Sequence, residues 1–296
     1  MSAKNMTALF SLFARAYHAE HHQEHIFFDC CARKLISDEE YSEISNNLIR
    51  GSSFFLKDTE HTGDAVGLIT DTVLSPAPLM RAAFAEAALE NAVRLGAARY
   101  FILGSGYDTF ALRKPQFSEN IEIYELDLPE MIADKASRID RSGLAPAENL
   151  FSVPVYLSSR NEIGELRNLL SANMNCPDFF SLLGLVHYLP RDMFSFLLNT
   201  ISGNTARGSS IVFDYPGKDY LNSSQYSLAR GAGQKMQSLY SYPEIESILE
   251  ENNFLIYEHL SPEDAEARFF SDFNKCESCE MHAPHDTELI LAVNQA

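Results

Sequence analysis

Short apolar runs separated by segments of helix length constrain the fold of this 296-residue chain more than any other feature. The runs cover residues 100–103, 121–126, 150–156, 179–186 and 210–215. Apolar runs of this length are typical of parallel strands that are covered on both faces, and the segments between them suit crossover helices. The pattern predicts repeated βαβ units in an α/β fold. Two later strands, 254–259 and 288–293, are predicted to complete the sheet.

The beginning of the chain has a different pattern. From about residue 7 to residue 49 the apolar residues recur at helical spacing, with no strand pattern between them. Residues 51–71 are rich in Gly, Ser, Asp and Thr, which predicts a loop. We therefore predict two parts, an N-terminal helical cap or lid over residues 1–75 and an α/β core over residues 76–296.

Charge and composition limit the classes of partner that the protein is expected to bind. The chain has 23 Lys and Arg against 41 Asp and Glu, a formal charge of −18, which disfavours binding to nucleic acid or to an anionic membrane surface. The apolar runs are shorter than the roughly 20 residues of a membrane helix. Five cysteines in a chain of this length indicate reduced thiols, and residues 1–13 lack a secretory signal pattern, so a cytoplasmic protein is expected. The oligomeric state is not indicated.

A glycine turn directly follows the first apolar run. Gly104-Ser105-Gly106 would let the backbone approach a ligand closely. About twenty residues later the next run ends at Asp127, where a carboxylate would meet the ribose of a nucleoside cofactor. Thr109 stands where a dinucleotide fold has a third glycine, and no P-loop sequence occurs. The motif therefore suits S-adenosylmethionine, which has no pyrophosphate, better than NAD.

Together these segments resemble the leucine carboxyl methyltransferase family, which includes bacterial O-methyltransferases of polyketide biosynthesis. The resemblance rests on 103–109, 124–129 with Lys135, Arg81 and 186–190, and more loosely on Arg15 and the region of Phe28-Asp29. It covers about residues 8 to 215. It implies a class I methyltransferase fold, a Rossmann-like, mostly parallel seven-stranded sheet whose final strand is antiparallel. It also implies that Arg81 binds the methionine carboxylate of S-adenosylmethionine and that Asp127 binds its ribose.

Two positions depart from the family pattern. Tyr156-Leu157 stands where the family usually has Asp-Leu beside the adenine, and Leu183-Gly184 stands where it commonly has Glu-Gly. Tyr156 is expected to contact the adenine by stacking or through its hydroxyl. The candidate cofactor-binding residues are Arg81, Gly104, Ser105, Gly106, Asp127, Tyr156 and Leu157.

His187 and Tyr188 are the candidate catalytic residues. They follow the fourth predicted strand, at the edge where open α/β sheets bind their ligands. A histidine that titrates near neutral pH could remove the proton from an acceptor hydroxyl, whereas a carboxylate acceptor would need no base. A capping role for His187 and a packing role for Tyr188 are the alternatives.

Two clusters have the composition of metal sites. His18, His21, His22 and His25 are predicted to form a solvated helix face. Cys276, Cys279, His282 and His285 are compressed into one stretch, unlike the separated ligand pairs of structural zinc sites, and are predicted to lie in a mobile loop covering the substrate. No bound metal is expected.

The favoured function is therefore an S-adenosylmethionine-dependent O-methyltransferase acting on the hydroxyl or carboxyl group of a small molecule. A catalytically silent methyltransferase-like binding protein is an alternative, because the glutamate and aspartate are missing at Leu183 and Tyr156. A nicotinamide-dependent oxidoreductase is less favoured because of Thr109.

Overall fold

A seven-stranded sheet forms the centre of the computed structural model, which describes residues 6–55, 64–217, 236–276 and 280–296. The strands are β1 (Arg99–Leu103), β2 (Glu122–Asp127), β3 (Leu150–Pro154), β4 (Asp178–Leu182), β5 (Ser210–Pro216), β6 (Phe254–Leu260) and β7 (Thr287–Asn294). Their order in the sheet is β3-β2-β1-β4-β5-β7-β6, and only β7 runs antiparallel to its neighbours. The predicted α/β fold with a mostly parallel sheet is confirmed.

The strand order reverses at β1, which pairs in parallel with β2 on one side and with β4 on the other. The connections leaving β1 and β4 therefore diverge to opposite sides at the carboxyl edge of the sheet. Such a reversal opens a crevice, which is where open α/β sheets bind ligands.

Helices cover both faces of the sheet and form the N-terminal part. They are α1 (Met6–His21), α2 (Ala32–Leu35), α3 (Asp38–Arg50), α4 (Ser52–Phe55), α5 (Ala65–Ile69), α6 (Pro76–Arg94), α7 (Phe110–Arg113), α8 (Pro129–Ser142), α9 (Arg160–Leu170), α10 (Arg191–Ser202), α11 (Tyr242–Glu251), α12 (Pro262–Ala265) and α13 (Phe273–Cys276). Helix α6 packs on one face through Leu79, Met80 and Phe84. Helices α9, α10 and α11 pack on the other. Within the described ranges no helix is long and apolar enough to cross a membrane.

Some predicted boundaries are wrong. The fourth apolar run continues to residue 186, but β4 ends at Leu182 because Gly184 adopts a left-handed conformation with φ +65°. The predicted loop at 51–71 contains α4 and α5, since the Asp64 side chain caps α5 by accepting a hydrogen bond from Gly67 N at 3.0 Å. Residues 56–63 of that stretch lie outside the described part of the chain.

The N-terminal helices pack as one apolar cluster on Tyr107, Leu112 and Met131 of the sheet domain. A polar contact also joins the two parts: Arg138 of α8 donates two hydrogen bonds to the carboxylate of Glu40 in α3, both at 2.7 Å. The cap is thus attached next to the carboxyl edge of the sheet. Its boundary at residue 75 stays a prediction.

The histidines of α1 and the following turn do not form the predicted solvated face. His18 is fully buried, and the rings of His22 and His25 lie 4.9 and 5.4 Å from its ring. Phe273, from the far end of the chain, covers His18 and His22 at 5.4 and 5.3 Å between ring centres. Periodicity within one helix cannot show that a distant segment covers it. No three His, Cys, Asp or Glu side chains in the described ranges are placed to hold a metal ion.

The burial of His18 predicts acid sensitivity. Burial, together with neighbouring His22 and His25, lowers the pKa of His18 to about 3. The unfolded chain therefore binds more protons below its histidine pKa of about 6.5, so this contribution to stability is lost as pH falls towards about 3. We expect His18 to account for about 2 kcal/mol of lost unfolding free energy between about pH 7 and pH 5.

Denaturant unfolding of the wild type and of His18→Gln at both pH values measures this loss. Glutamine is a suitable control because its amide oxygen can accept the hydrogen bond that Ile26 N donates to His18 Nε2 at 3.1 Å. The variant should lose less stability on acidification, and an identical loss in both proteins would exclude His18 as the cause.

Candidate active site

A cavity of about 660 Å³ opens at the carboxyl ends of β1, β2 and β4, beneath α1 and the π-helical turn Thr70–Leu74. The sequence-predicted site residues all border it: Arg81, Gly104, Ser105, Gly106, Asp127, Tyr156, Leu157, His187 and Tyr188. The structure thus brings together residues from five separate stretches of the chain.

The glycine turn after β1 forms the floor of the cavity. Gly104 has φ +71°, a left-handed conformation that favours glycine, and a Cβ at this position would also lie 2.6 Å from Leu185 Cδ2. Gly104 N and Ser105 N both donate to the Leu126 carbonyl, at 2.7 and 3.2 Å, which holds the turn against β2. The Ser105 hydroxyl is buried and has no hydrogen-bond partner among the described residues.

Asp127 links the turn to the end of β2. Its carboxylate accepts hydrogen bonds from Gly106 N at 2.6 Å and from Leu128 N at 2.7 Å, while burial raises its pKa. Behind it, Lys135 Nζ donates to Glu125 Oε2 at 2.7 Å, and both side chains are buried. Asp127 is therefore held at the cavity wall beside the glycine turn.

Arg81 enters the cavity from α6. Its Nη2 lies 3.0 Å from Asp214 Oδ2 of β5, while its Nε is buried without a hydrogen-bond partner among the described residues. Arg81 is thus fixed on one side, with an NH group still able to donate.

Tyr156 and Leu157 follow the end of β3. Tyr156 is 37% exposed and its backbone N donates to Glu162 Oε2 at 2.7 Å, whereas Leu157 is buried. An aromatic ring and an aliphatic side chain at the rim can flank a planar group. Adenine stacking on Tyr156 stays a prediction.

His187 and Tyr188 lie in a single 3₁₀ turn after β4, with ring centres 4.1 Å apart. Burial and the positive charge of Arg81 lower the pKa of His187 to about 3. The expectation of a histidine that titrates near neutral pH is therefore wrong, because desolvation disfavours the imidazolium. Burial raises the pKa of Tyr188 to about 12, and its hydroxyl forms a hydrogen bond with Thr7 of the cap.

Arg15 and Asp29 were only weak matches to the family motifs, and the sequence did not assign them to the site. Arg15 borders the cavity and donates to Asp29 Oδ2 at 2.9 Å and to the Tyr107 carbonyl at 2.7 Å. Asp29 Oδ2 also accepts from Thr109 Oγ1 at 2.7 Å. These contacts join the cap to the turn across 80 or more positions of sequence, so no local pattern could reveal them.

Asp214 was missed altogether. It belongs to a buried apolar strand, β5, and is 1% exposed. One sequence signal could have identified it: Asp214 is a single acidic residue within an otherwise apolar run. Because a buried charge requires a partner, such a residue predicts a buried ion pair.

The described residues between β6 and β7 do not border the cavity, so the prediction that they cover the substrate is wrong. Phe270, Phe273, Met281 and Ala283 are buried in the apolar cluster under α6, and none of them borders the cavity. His282 Nδ1 instead contacts Glu266 Oε1 at 3.0 Å. Cys279 lies outside the described residues, so the proposed Cys276, Cys279, His282 and His285 set is not described as a whole.

Comparisons with known proteins identify the family. YktD of Bacillus subtilis, named as an S-adenosyl-L-methionine-dependent methyltransferase, is 35% identical over 281 residues, 90% of this chain and 92% of YktD. A protein of the same description from Mycolicibacterium paratuberculosis is 29% identical over 159 residues, 54% of this chain and 49% of that one.

A duf574 family protein from Streptomyces avermitilis has the same overall fold. The two structures superpose with a TM-score of 0.57 at 11% identity, covering 96% of this chain and 97% of that one. The family model for leucine carboxyl methyltransferase matches residues 8–202. The chain belongs to the leucine carboxyl methyltransferase family, which confirms the resemblance inferred from its motifs.

Proposed function

We propose that the protein binds S-adenosylmethionine in this cavity and transfers its methyl group to the hydroxyl of an uncharged small molecule. The main support for this proposal is that the glycine turn, Asp127 and Arg81 all border one cavity. That cavity lies where the strand order reverses, which is where open α/β sheets bind ligands. The name of YktD supports the same cofactor.

The residues present fit this cofactor. Gly104 has no side chain and borders the cavity, so a ligand can approach its backbone closely. Two buried donors at the cavity, Ser105 Oγ and Arg81 Nε, have no partner among the described residues, so a ligand there would satisfy them. We propose that Arg81 binds the methionine carboxylate, that Asp127 accepts hydrogen bonds from the ribose hydroxyls, and that Tyr156 and Leu157 flank the adenine.

The charges around the cavity favour an uncharged acceptor. The basic side chains among the described wall residues are Arg15 and Arg81. Arg15 is paired with Asp29, and Arg81 is paired with Asp214 and is assigned here to the cofactor. An acceptor carboxylate would therefore lack a cationic partner, whereas the apolar wall suits an apolar molecule with a hydroxyl. That wall includes Phe10, Val73, Leu74, Pro78, Leu183 and Leu189.

S-adenosylmethionine supplies a methyl group made electrophilic by its sulfonium. His187 is neutral at working pH because of its lowered pKa, so its imidazole can accept a hydrogen bond from the acceptor hydroxyl and orient the oxygen. Methyl transfer would exchange the C–S bond of the sulfonium for a C–O bond and leave a neutral thioether. The acceptor oxygen would then be strongly acidic, so that even a weak base could take its proton. We propose that His187 accepts the proton at this late stage and that Tyr188 positions the acceptor.

The chemical nature of the product tests the acceptor class. We expect S-adenosylmethionine labelled in the methyl group to transfer label to neutral phenols or alcohols and not to carboxylic acids of matched size. Treating the labelled products with alkali separates the two outcomes, because a methyl ether survives and a methyl ester releases methanol. Label that is released by alkali would contradict the hydroxyl assignment.

If the protein is instead a binding protein without catalytic activity, the same assay is expected to give a different result. Such a protein would bind the cofactor without transferring label to any acceptor of the panel. The missing carboxylate at Leu183 is the observation that favours this alternative.

A further inference from the structure

Within the described part of the chain, the Arg81 guanidinium is paired with a carboxylate from β5. Asp214 Oδ2 lies 3.0 Å from Arg81 Nη2, and Asp214 Oδ1 accepts a hydrogen bond from Gly184 N at 2.5 Å. We infer that Asp214 is a positioning residue for cofactor binding, which holds both Arg81 and the Gly184 turn in the geometry that receives the methionine end. This inference rests on the proposed cofactor site.

The sheet explains why Asp214 can take this position. Leu182 and Phe213 form the last parallel pair between β4 and β5, so Leu183 and Asp214 follow it side by side. Both project towards α6, because Leu183 and Val212 belong to the apolar cluster of that face. Asp214 therefore lies on the strand next to Leu183, on the face that α6 covers, where its carboxylate can reach Arg81.

Close packing leaves little freedom in this arrangement. Gly184 has φ +65°, and a Cβ there would lie 2.7 Å from Arg81 Nη1. The guanidinium is thus in contact with the turn on one side and with Asp214 on another. Asp214 itself is buried and is not among the residues that border the cavity, so its effect on a ligand passes through Arg81 and Gly184.

A purely structural role for Asp214 would have different consequences. Losing a structural residue would loosen the whole pocket, including its adenosine half near Asp127. Losing a residue that positions Arg81 would affect only ligands that carry the amino-acid group. S-adenosylhomocysteine carries that group and 5′-methylthioadenosine lacks it, so the two ligands separate the roles.

The experiment is a calorimetric double-mutant cycle with both ligands, using the wild type, Asp214→Asn, Arg81→Ala and the double variant. We expect Asp214→Asn to weaken S-adenosylhomocysteine binding about tenfold and to change methylthioadenosine binding by less than about twofold. In the Arg81→Ala background, Asp214→Asn should cause no further loss for S-adenosylhomocysteine.

Three results would overturn the inference: equal weakening of both ligands, additive effects of the two substitutions, or unchanged or tighter S-adenosylhomocysteine binding in Asp214→Asn. If Asp214→Asn does not fold, Asp214→Glu tests the same contacts, because it keeps the charge but moves the carboxylate relative to Arg81 and Gly184, and the same ligand selectivity is expected. A wild type that binds neither ligand would instead refute the proposed function.

Discussion

Replacing Arg81 by alanine is expected to weaken S-adenosylhomocysteine binding by about a hundredfold. Hydrogen bonds between charged groups contribute about 1.5–3 kcal/mol each, and this one would form in a largely buried site. The substitution also leaves Asp214, 1% exposed, without its cation, which costs further stability. Calorimetric titration of the variant measures the loss.

Arg94→Ala is the matched control for this prediction. Arg94 lies on the same helix, α6, but its side chain is 67% exposed and pairs with Glu90 on the surface. The control should bind like the wild type. If Arg81→Ala also binds like the wild type, Arg81 does not contact the ligand and the assignment of the methionine end is wrong.

Replacing His187 by asparagine is expected to lower kcat by up to about 10² with little change in cofactor affinity, because the acceptor oxygen loses the imidazole that orients it. The imidazole accepts the acceptor proton in our proposal, and asparagine cannot take it. Because burial lowers the pKa of His187 to about 3, the wild-type rate should show no acidic limb from this residue between about pH 5 and pH 8. Single-turnover rates across pH, with an acceptor found in the labelling assay, measure both effects.

Tyr188→Phe provides the comparison for His187→Asn. The phenylalanine keeps the ring that packs against His187 but removes the hydroxyl that bonds to Thr7, so a smaller loss is expected. An intact rate in His187→Asn would remove the histidine from the reaction. A wild-type limb near the ordinary histidine pKa of about 6.5, lost in His187→Asn, would contradict the late proton transfer.

The fold was predictable because its signals are local. The apolar runs correspond to strands, and the glycine turn followed by Asp127 marks the carboxyl edge of β1 and β2. The predicted strand boundaries were wrong where the backbone conformation of a single residue ends a strand. At Gly184, for example, a φ of +65° ends β4 inside an apolar run.

The remaining features depend on contacts between distant parts of the chain. The burial of His18 under Phe273, and the Arg81–Asp214 pair between α6 and β5, leave no spacing pattern in the sequence. The lowered pKa of His187 likewise follows from burial and from Arg81, which motif reasoning cannot evaluate. The sequence therefore predicted which residues border the cavity, but not how their charges are paired.

Titration of the wild-type protein with S-adenosylhomocysteine, followed by calorimetry, tests the central claim most directly. The proposed site predicts saturable binding of one ligand per chain, weakened at least about tenfold in Asp127→Ala, whose carboxylate lies at the cavity wall. Absence of binding to the folded wild type, or equal affinity in Asp127→Ala, would contradict a cofactor site built on the glycine turn and Asp127.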